Sequence, residues 1–393
     1  MATTATLPLF ADSPHYDETH QALHAGLVRF VERELRPHAD AWEEAGAFPR
    51  ALYRRAAEVG LIGVGFPEAL GGSEGDVFHR IVATEALSRA GSGGLAAGLM
   101  SHAIGLPPVL ALASDALKAE VAPPILAGEA ISALAVTEPG GGSDVANLRT
   151  RAERRGDDYV LTGEKTFITS GMRADWITMA VRTGGEGIGG VSILCVPGDA
   201  PGLTRTPIRK MGWWCSDTAT LHMDGCRVPA RYLVGEEGEG FFGLMANFNG
   251  ERLMLASMAW AFGLRVIEEA LGWAGERETF GRPLLKRQVV RHMLLDMIGR
   301  TAAVRALLET TAWQSQQAER GLLDPPIAEL CLLKNEATAA LERTAGEAVQ
   351  LLGGAGYTRG TVSERVFRES KVLSIGGGAS EVLKDLAARQ LGW

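Results

Sequence analysis

One glycine-rich segment of the chain has the composition of a phosphate-binding loop. Residues 135–144 read AVTEPGGGSD, so a short apolar run leads into three consecutive glycines and a Ser-Asp pair. Glycines let backbone N–H groups approach a ligand closely, and clustered N–H groups bind phosphate oxygens. Thr137 and Ser143 add hydroxyl groups to this surface. The same residues also allow a plain glycine turn capped by Asp144.

Two further segments could contact an anionic ligand. Arg277 stands in a charged stretch over residues 276–288. Its guanidinium offers a planar fork of donors that suits a pyrophosphate. The alternative for Arg277 is an exposed ion pair with a neighbouring glutamate. Gly353 and Gly354 permit a backbone contact with a cofactor, or they simply end a helix.

Several other kinds of site are not supported by the sequence. The chain has no GxxxxGK[ST] loop, and its late glycines do not form GxGxxG after a strand. His20 and His24 could share a helical face, but no cysteine or HExxH pattern is near them. We therefore predict a solvated N-terminal helix there and no metal site. Scattered cysteines without CxxC spacing indicate a reduced, cytoplasmic protein with buried thiols; they are Cys195, Cys215, Cys226 and Cys331.

The composition describes an ordinary globular chain that has to position these residues. Its 393 residues carry 39 basic and 47 acidic side chains, a net charge of −8, and this length suggests about two to three domains. A mildly acidic chain argues against general binding to nucleic acid or anionic membranes. Residues 1–28 contain no Lys or Arg, which argues against a secretory signal. We expect the uncharged run over residues 91–114 to be a buried helix plus loop, not a membrane span.

Hydrophobic periodicity divides the chain into three regions. The first, residues 1–130, is helical, and Pro37 is expected to end the helix that contains Leu27, Phe30, Val31 and Leu35. The second, residues 131–235, alternates like a small antiparallel sheet or barrel, with a type II′ hairpin predicted at Gly163. The third, residues 236–393, has two long helices and two shorter ones, which suggests a four-helix bundle. One long helix presents a single apolar face, made by Val290, Met293, Leu294, Met297, Ile298, Thr301, Val304 and Leu308.

Five segments, in order along nearly the whole chain, resemble the signatures of the acyl-CoA dehydrogenase family. Phe167 stands where tryptophan is common in that family. Five ordered motifs are far more specific than any one alone. The segments are residues 137–144, residues 162–171, residues 211–218 together with 227–229, residues 277–288, and residues 350–356.

The resemblance implies a fold and a cofactor. The expected fold is mainly α with a central β-domain: an N-terminal α-helical domain, a middle β-barrel or sheet domain and a C-terminal four-helix bundle. FAD would bind non-covalently between the middle domain and the bundle and be completed by a neighbouring subunit of a homotetramer, a dimer of dimers. By resemblance, the cofactor-binding residues are Val136, Thr137, Gly142, Ser143, Phe167, Ile168, Thr169, Arg277, Thr279, Phe280, Gln288, Gln350, Gly353, Gly354, Ala379 and Glu381. The substrate-binding residues are Ser143, Asn249, Arg252 and Gly378.

The sequence departs from the medium- and short-chain branch at the catalytic base. Those members carry a glutamate where this chain has Gly377, which cannot accept a proton. The long-chain and isovaleryl branches place the base in a Glu-Arg-Leu motif, and Glu251 begins such a motif here. We therefore predict that Glu251 is the base. The alternatives are that Glu251 only favours the helix dipole in a first turn, and that Glu381 is the base instead. We expect Glu381 to cap the last helix, because it follows Ser380 where that helix should begin.

The function implied by the resemblance is FAD-dependent α,β-dehydrogenation of an acyl-CoA thioester to the trans-2-enoyl-CoA, in fatty acid metabolism. Electrons would leave through an electron-transferring flavoprotein. Three alternatives stay open: a relative acting on a carrier-protein acyl group, an oxidase using O2, and an FAD-binding protein without turnover. Trp213 and Trp214 could line the acyl pocket or pack in the core. The acyl chain is not fixed by the sequence, because one methylene changes discrimination by only ~1–3 kcal/mol.

Overall fold

Helices form most of the chain, and strands are concentrated in its middle. The computed structural model describes residues 13–393. Its α-helices are α1 (Glu18–Phe30), α2 (Ala39–Ala45), α3 (Ala51–Glu58), α4 (Val77–Ser88), α5 (Gly93–Leu99), α6 (His102–Gly105), α7 (Pro107–Leu112), α8 (Asp115–Leu126), α9 (Gly240–Glu276), α10 (Gln288–Glu319), α11 (Ile327–Leu352), α12 (Val362–Ile375) and α13 (Ser380–Gln390). Its strands are β1 (Ser132–Ala135), β2 (Arg151–Arg155), β3 (Asp158–Thr169), β4 (Trp176–Arg182), β5 (Val191–Pro197), β6 (Leu203–Pro207), β7 (Thr218–Pro229), β8 (Leu233–Val234), β9 (Glu278–Thr279) and β10 (Arg282–Pro283).

The described chain divides into two compact units. One unit contains residues 13–41, 75–93 and 252–393, and the other contains residues 42–74 and 94–251. The helices α2, α5 and α9 each continue from one unit into the other along the chain. The three domain ranges expected from the sequence stay a prediction, and residues 1–12 of the first range lie outside the described residues.

The first helical segment runs on past its predicted end. The four apolar residues expected in its core, Leu27, Phe30, Val31 and Leu35, are all buried. After α1 the chain makes a π-helical turn and then a 3₁₀ turn that contains Pro37, and α2 begins at once. The prediction that Pro37 ends the helical region is wrong, because a proline in a first turn removes no hydrogen bond that the helix needs.

The helices after residue 252 pack around α11, which contacts α10, α12 and α13. The predicted apolar face of α10 is confirmed in most positions, because its buried residues include Val290, Leu294, Met297, Thr301, Val304 and Leu308. The prediction of two long helices is wrong, since α9 is a third one with 37 residues. Its residues 256–267 are buried without interruption. A helix buried on all sides has no single apolar stripe, so periodicity did not reveal it.

The strands of the second unit form one eight-stranded, mostly antiparallel sheet. Its order is β6-β7-β3-β2-β4-β5-β8, and β1 pairs with β4 in parallel. The predicted strands over residues 176–182 and 191–196 correspond to β4 and β5. This sheet confirms the expected central β-region within a mainly helical chain.

The predicted hairpin at Gly163 is wrong, because β3 runs through this residue as one continuous strand. β3 pairs with β7 from Asp158 to Thr169, with a register shift just before Gly163. Gly163 has φ +147°, and a Cβ there would lie 2.7 Å from the Cα of Thr150. Glycine is therefore needed for a β-bulge and a close backbone approach, not for a turn.

The uncharged run over residues 91–114 folds into α5, α6 and α7. Many of its side chains are buried, among them Leu95, Leu99, Leu106 and Val109. Among residues 13–393, no single helix is long and apolar enough to cross a membrane, although the bent pair of α5 with the α6–α7 segment passes by length and composition alone.

Candidate functional site

The glycine-rich loop leaves β1 and presents its backbone to solvent. Glu138 and Gly141 exchange backbone hydrogen bonds of 3.2 and 3.1 Å, which closes a tight turn. A Cβ added at Gly140 or Gly141 would meet nothing within 4 Å, so these glycines face open space. Asp144 does not cap the following turn; its carboxylate accepts from the Nδ2 of Asn147 at 2.7 Å instead. The loop therefore offers exposed peptide groups to a ligand, and the Asp144-capped alternative is wrong.

A buried ion pair lies directly beneath this loop. The Nζ of Lys165 donates to the carboxylate of Glu138 at 2.8 Å and to the carbonyl of Val136 at 3.1 Å. The same carboxylate accepts from the backbone N–H groups of Arg149 and Thr150 at 2.6 and 2.9 Å. Lys165 has no exposed surface, and burial lowers its pKa to about 8 against the pull of Glu138. Burial opposes ionisation of Glu138, but Lys165 and these hydrogen bonds hold the pKa of that carboxyl below its usual value.

Two residues beyond Lys165, a bulge turns an aromatic ring outward. The pairing of β3 with β7 shifts between Lys165 and Ile168, and Phe167 has φ +61° with 66% of its surface exposed. The backbone N–H of Thr166 donates to the carbonyl of Thr137 at 2.9 Å, so the bulge is joined to the glycine-rich loop. Ile168 is buried, and only Phe167 of this pair projects into solvent. A large aromatic residue held at positive φ and exposed is costly unless it contacts something.

The segment after the bulge is fixed by Asp217. Its carboxylate accepts from the backbone N–H of Met172 at 2.7 Å and from the guanidinium of Arg173 at 2.5 Å. Its own carbonyl accepts from the N–H of Ser170 at 3.0 Å. Thr169 and the turn that follows it are thereby held in one conformation.

In the other unit, a short hairpin exposes a second aromatic ring. β9 and β10 pair across a turn of Phe280 and Gly281, both at positive φ as in a type I′ turn. Phe280 is 97% exposed, and the guanidinium of Arg287 lies 5.5 Å from its ring centre. The side chain of Arg277 makes no hydrogen bond or ion pair with any described residue, so the alternative of a pair with a neighbouring glutamate is not what the structure shows.

The remaining cofactor residues predicted in this unit lie at helix ends. Gln288 begins α10 and Gln350 lies in the last turn of α11, and both are exposed. Gly353 is the C-cap of α11 at φ +61°, and nothing lies within 4 Å of a Cβ at Gly353 or Gly354. The structure shows that Gly353 ends the helix, and a backbone contact of these glycines with a cofactor stays a prediction.

The loop before α13 is held by two side chains of α11. The Nζ of Lys334, which is fully buried, donates to the carbonyl of Gly378 at 2.8 Å. The Nδ2 of Asn335 donates to the carbonyl of Ser380 at 3.0 Å. Glu381 is exposed in the first turn of α13, and that helix has no side-chain cap. The prediction that Glu381 caps the helix is therefore wrong.

Glu251 lies in the interior of α9, not in a first turn. The alternative of a first-turn glutamate is therefore wrong, because α9 begins eleven residues earlier, at Gly240. Glu251 is partly buried, Asn249 likewise, and Arg252 is buried. One turn before Glu251, on the same helix face, the Nδ2 of Asn247 donates to the carbonyl of Ile104 at 2.9 Å. This bond fixes the rotation of α9 about its axis at the level of Glu251.

The two N-terminal histidines are not solvated as predicted. His20 is buried, and His24 bonds through its Nε2 to the buried carboxylate of Glu85. His20, Asp76 and His79 bring their polar atoms within 4.8 Å of one another. The carboxylate of Asp76 caps α4, and the backbone N–H of Asp76 donates to the imidazole of His79. Asp17 and His20 form the same pair of capping bonds at the start of α1. Capping bonds at two adjoining helix starts account for this cluster, and such positive helix ends do not favour a cation.

Sequence reasoning missed the residues that fix these segments: Glu138, Lys165, Asp217, Lys334 and Asn335. Each works through a bond to a backbone group that is distant along the chain. The one available signal was a charged residue within a strand pattern, since Lys165 falls on the inward side of β3.

Comparison with known proteins gives a consistent result. Three family profiles match the chain: "Acyl-CoA dehydrogenase, N-terminal domain" over residues 17–129, "Acyl-CoA dehydrogenase, middle domain" over residues 133–226, and "Acyl-CoA dehydrogenase, C-terminal domain" over residues 238–392. The probable acyl-CoA dehydrogenase YngJ of Bacillus subtilis is 33% identical over 92% of this chain and 95% of its own length.

Solved structures agree with the sequence comparison. A probable acyl-CoA dehydrogenase from Mycobacterium abscessus is 46% identical with a TM-score of 0.92, covering 95% of this chain and 99% of its own. A glutaryl-CoA dehydrogenase from Mycobacterium smegmatis in complex with FADH2 is 25% identical with a TM-score of 0.89, covering 98% of each chain. The fold expected from the sequence is thereby confirmed.

Proposed function

Because this chain belongs to the acyl-CoA dehydrogenase family of FAD-dependent oxidoreductases, we propose that Glu251 accepts the α-proton of its acyl-CoA substrate. The products would be the trans-2-enoyl-CoA and the reduced flavin. The observation that carries this assignment is the pair of glycines before α13. Gly377 and Gly378 both have positive φ and no side chain that accepts a proton, whereas Glu251 stands partly buried within α9.

The residues present fit FAD as the cofactor. The turn at Gly140 and Gly141 exposes backbone that no Cβ would occlude, as a phosphate or ribityl group requires. Phe167 offers an exposed ring on a fixed bulge, as contact with a flavin ring system requires. Arg277 adds a guanidinium without a partner among the described residues, which suits a pyrophosphate. These features lie on segments that the family resemblance assigns to FAD.

Bound FAD supplies the hydride acceptor, its N5 atom. The contributions of the chain are the base, the orientation of the thioester and the exclusion of water. Glu251 would take the α-proton as the β-hydride leaves for the flavin, so both C–H bonds break and the single bond between the α- and β-carbons becomes a double bond. Ser143, Asn249, Arg252 and Gly378 are the groups we assign to the substrate. Lys334 fixes the backbone at Gly378 through its 2.8 Å hydrogen bond.

The test is the substitution Glu251→Gln, which keeps the shape of the side chain and removes the proton acceptor. We expect this variant to retain FAD and to bind acyl-CoA, but to lose ~10²-fold or more in the rate of flavin reduction. The measurement is anaerobic stopped-flow bleaching of the flavin by a panel of saturated, branched and long acyl-CoA thioesters.

Glu381→Gln is the matched control, because Glu381 is an exposed carboxylate on the helix that follows Gly378. With FAD at saturating concentration, the flavin of this variant should be reduced at the wild-type rate. Wild-type reduction by Glu251→Gln with loss in Glu381→Gln would show that the base is Glu381. The same panel separates the alternatives: rapid peroxide formation indicates an oxidase, reduction by carrier-bound acyl groups alone indicates a carrier substrate, and an unreactive yellow protein indicates loss of turnover.

We propose the remaining properties from the family resemblance: a homotetramer, an electron-transferring flavoprotein as electron acceptor, and a role in fatty acid metabolism. We also propose a cytoplasmic location from the cysteine pattern; none of the four cysteines forms a disulfide, and all four are buried. Light scattering of the holoenzyme and reduction of a purified electron-transferring flavoprotein test the first two proposals.

A further inference from the structure

The strongest unassigned feature is the buried pair of Glu138 and Lys165. It lies in a single unit of the fold and joins three separate stretches of chain. Neither residue was among the predicted site residues, and neither side chain is exposed to a ligand. The role of the pair must therefore be inferred from the segments of chain that its hydrogen bonds hold in place.

Glu138 closes the glycine-rich loop on itself. The carboxylate stands at the start of the loop, and its two oxygens accept from the N–H groups of Arg149 and Thr150 at the far end. Residues 139–148 therefore form a closed loop, whose two ends are held together by the carboxylate of Glu138. The exposed peptide groups of Gly140 and Gly141 lie in this closed loop, and their directions depend on its closure.

Lys165 joins this closed loop to the bulge that carries Phe167. Its ammonium contacts both Glu138 and the carbonyl of Val136, immediately before Thr137. Two residues further along β3, Phe167 projects from the bulge, and the N–H of Thr166 donates to the carbonyl of Thr137. Lys165 and the hydrogen bond of Thr166 therefore hold the loop next to the bulge that carries Phe167.

We infer that Glu138 and Lys165 are positioning residues for FAD, which hold the loop at residues 137–143 and the ring of Phe167 in the arrangement that binds the cofactor. This inference rests on the proposed assignment of those two segments to FAD. A buried charged pair is seldom a net source of stability, since desolvation offsets the attraction between the charges. Fixing a binding surface is a role that a pair of apolar residues could not fill, because apolar groups cannot accept from the N–H groups of Arg149 and Thr150.

The experiment compares two variants that each remove one buried cation from a carboxylate. Lys165→Met removes the cationic partner of Glu138. Arg265→Met removes one of the partners of Glu85, which it contacts at 2.9 Å in the other unit. Both variants should lower the melting temperature. Only Lys165→Met should raise the dissociation constant of FAD, by tenfold or more, as measured by titrating apoprotein with FAD and following flavin fluorescence.

A double variant separates positioning from stability. Glu138→Gln with Lys165→Met removes both charges, so it should recover part of the melting temperature that the single variant loses. It should not recover FAD affinity, because the introduced side-chain amide presents one oxygen where two N–H groups need acceptors. Recovery of wild-type affinity by this double variant would overturn the inference.

A spectroscopic measurement keeps this inference apart from the assignment on which it rests. Phe167→Ala should change the visible band shape and the fluorescence of the bound flavin. If it does not, the flavin is not at this bulge and the assignment itself is wrong. If Phe167→Ala changes the spectrum but Lys165→Met leaves both spectrum and affinity as in the wild type, the assignment stands and the positioning role is refuted.

Discussion

A buried histidine should make the stability of this protein fall in mild acid. His102 is almost fully buried, and its Nε2 lies 2.8 Å from the carbonyl of Ile62. Burial lowers the pKa of His102 to about 4, from an ordinary value of 6.5. The folded state therefore keeps this imidazole neutral in a range where the unfolded chain takes up a proton.

The sign and size of the effect follow from linkage. Between pH 6.5 and about 4 the unfolded state binds up to one more proton at this residue, so stability falls as the pH falls. A gap of about 2.5 pKa units at about 1.4 kcal/mol each corresponds to about 3.5 kcal/mol. Well above pH 6.5 the residue is neutral in both states and contributes no pH dependence.

Equilibrium denaturation of the wild type and of His102→Gln, at pH 7.5 and pH 4.5, measures this contribution. His102→Gln should be destabilised at pH 7.5 and should lose less on acidification, so that the difference between the two proteins shrinks by about 2–3 kcal/mol. His222→Gln is the control, because His222 is a partly exposed histidine paired with Glu164 at 3.0 Å. Parallel pH profiles for the wild type and His102→Gln would refute the reasoning.

Two further predictions concern the cofactor and the backbone. Arg277→Ala should lose FAD on dilution, which gel filtration with detection of flavin absorbance would follow. Arg282→Ala, on the same exposed hairpin, should retain FAD. A monomer that holds stoichiometric FAD would contradict the proposed contact with a neighbouring subunit. Gly163→Ala should destabilise by about 1–3 kcal/mol in denaturant titrations, since it combines positive φ with a close approach to Thr150. Gly156→Ala, also at positive φ but with open space around it, should cost less, and equal losses would contradict the packing argument.

The sequence predicted the elements whose residues repeat with a clear period. The apolar face of α10 and the strands β4 and β5 were found because side chains three to four, or two, positions apart share one environment. α9 was not recognised as one long helix, because burial on all sides removes the periodic signal. The sequence predicts a turn at Gly163, because a glycine in a bulge and a glycine in a turn have the same local signature and only the neighbouring backbone of Thr150 distinguishes them.

The candidate site divides in a similar way. Its exposed parts, such as Gly140, Phe167 and Arg277, lie in contiguous motifs and could be predicted from resemblance to a known family. Its supporting parts could not, because Lys334 and Gly378 stand far apart in the sequence and meet only through the fold. A single sequence contains no trace of that contact.

The closure of residues 139–148 by one carboxylate has a consequence for engineering. A loop whose two ends are held together tolerates changes in the identity of its exposed residues better than changes in their number. A one-residue insertion would move the amides of Arg149 and Thr150 away from the carboxylate that binds both. In chimaeras between this protein and related enzymes, the segment should therefore be exchanged as a complete cassette, from Glu138 to Thr150 and together with Lys165, with crossover points outside it.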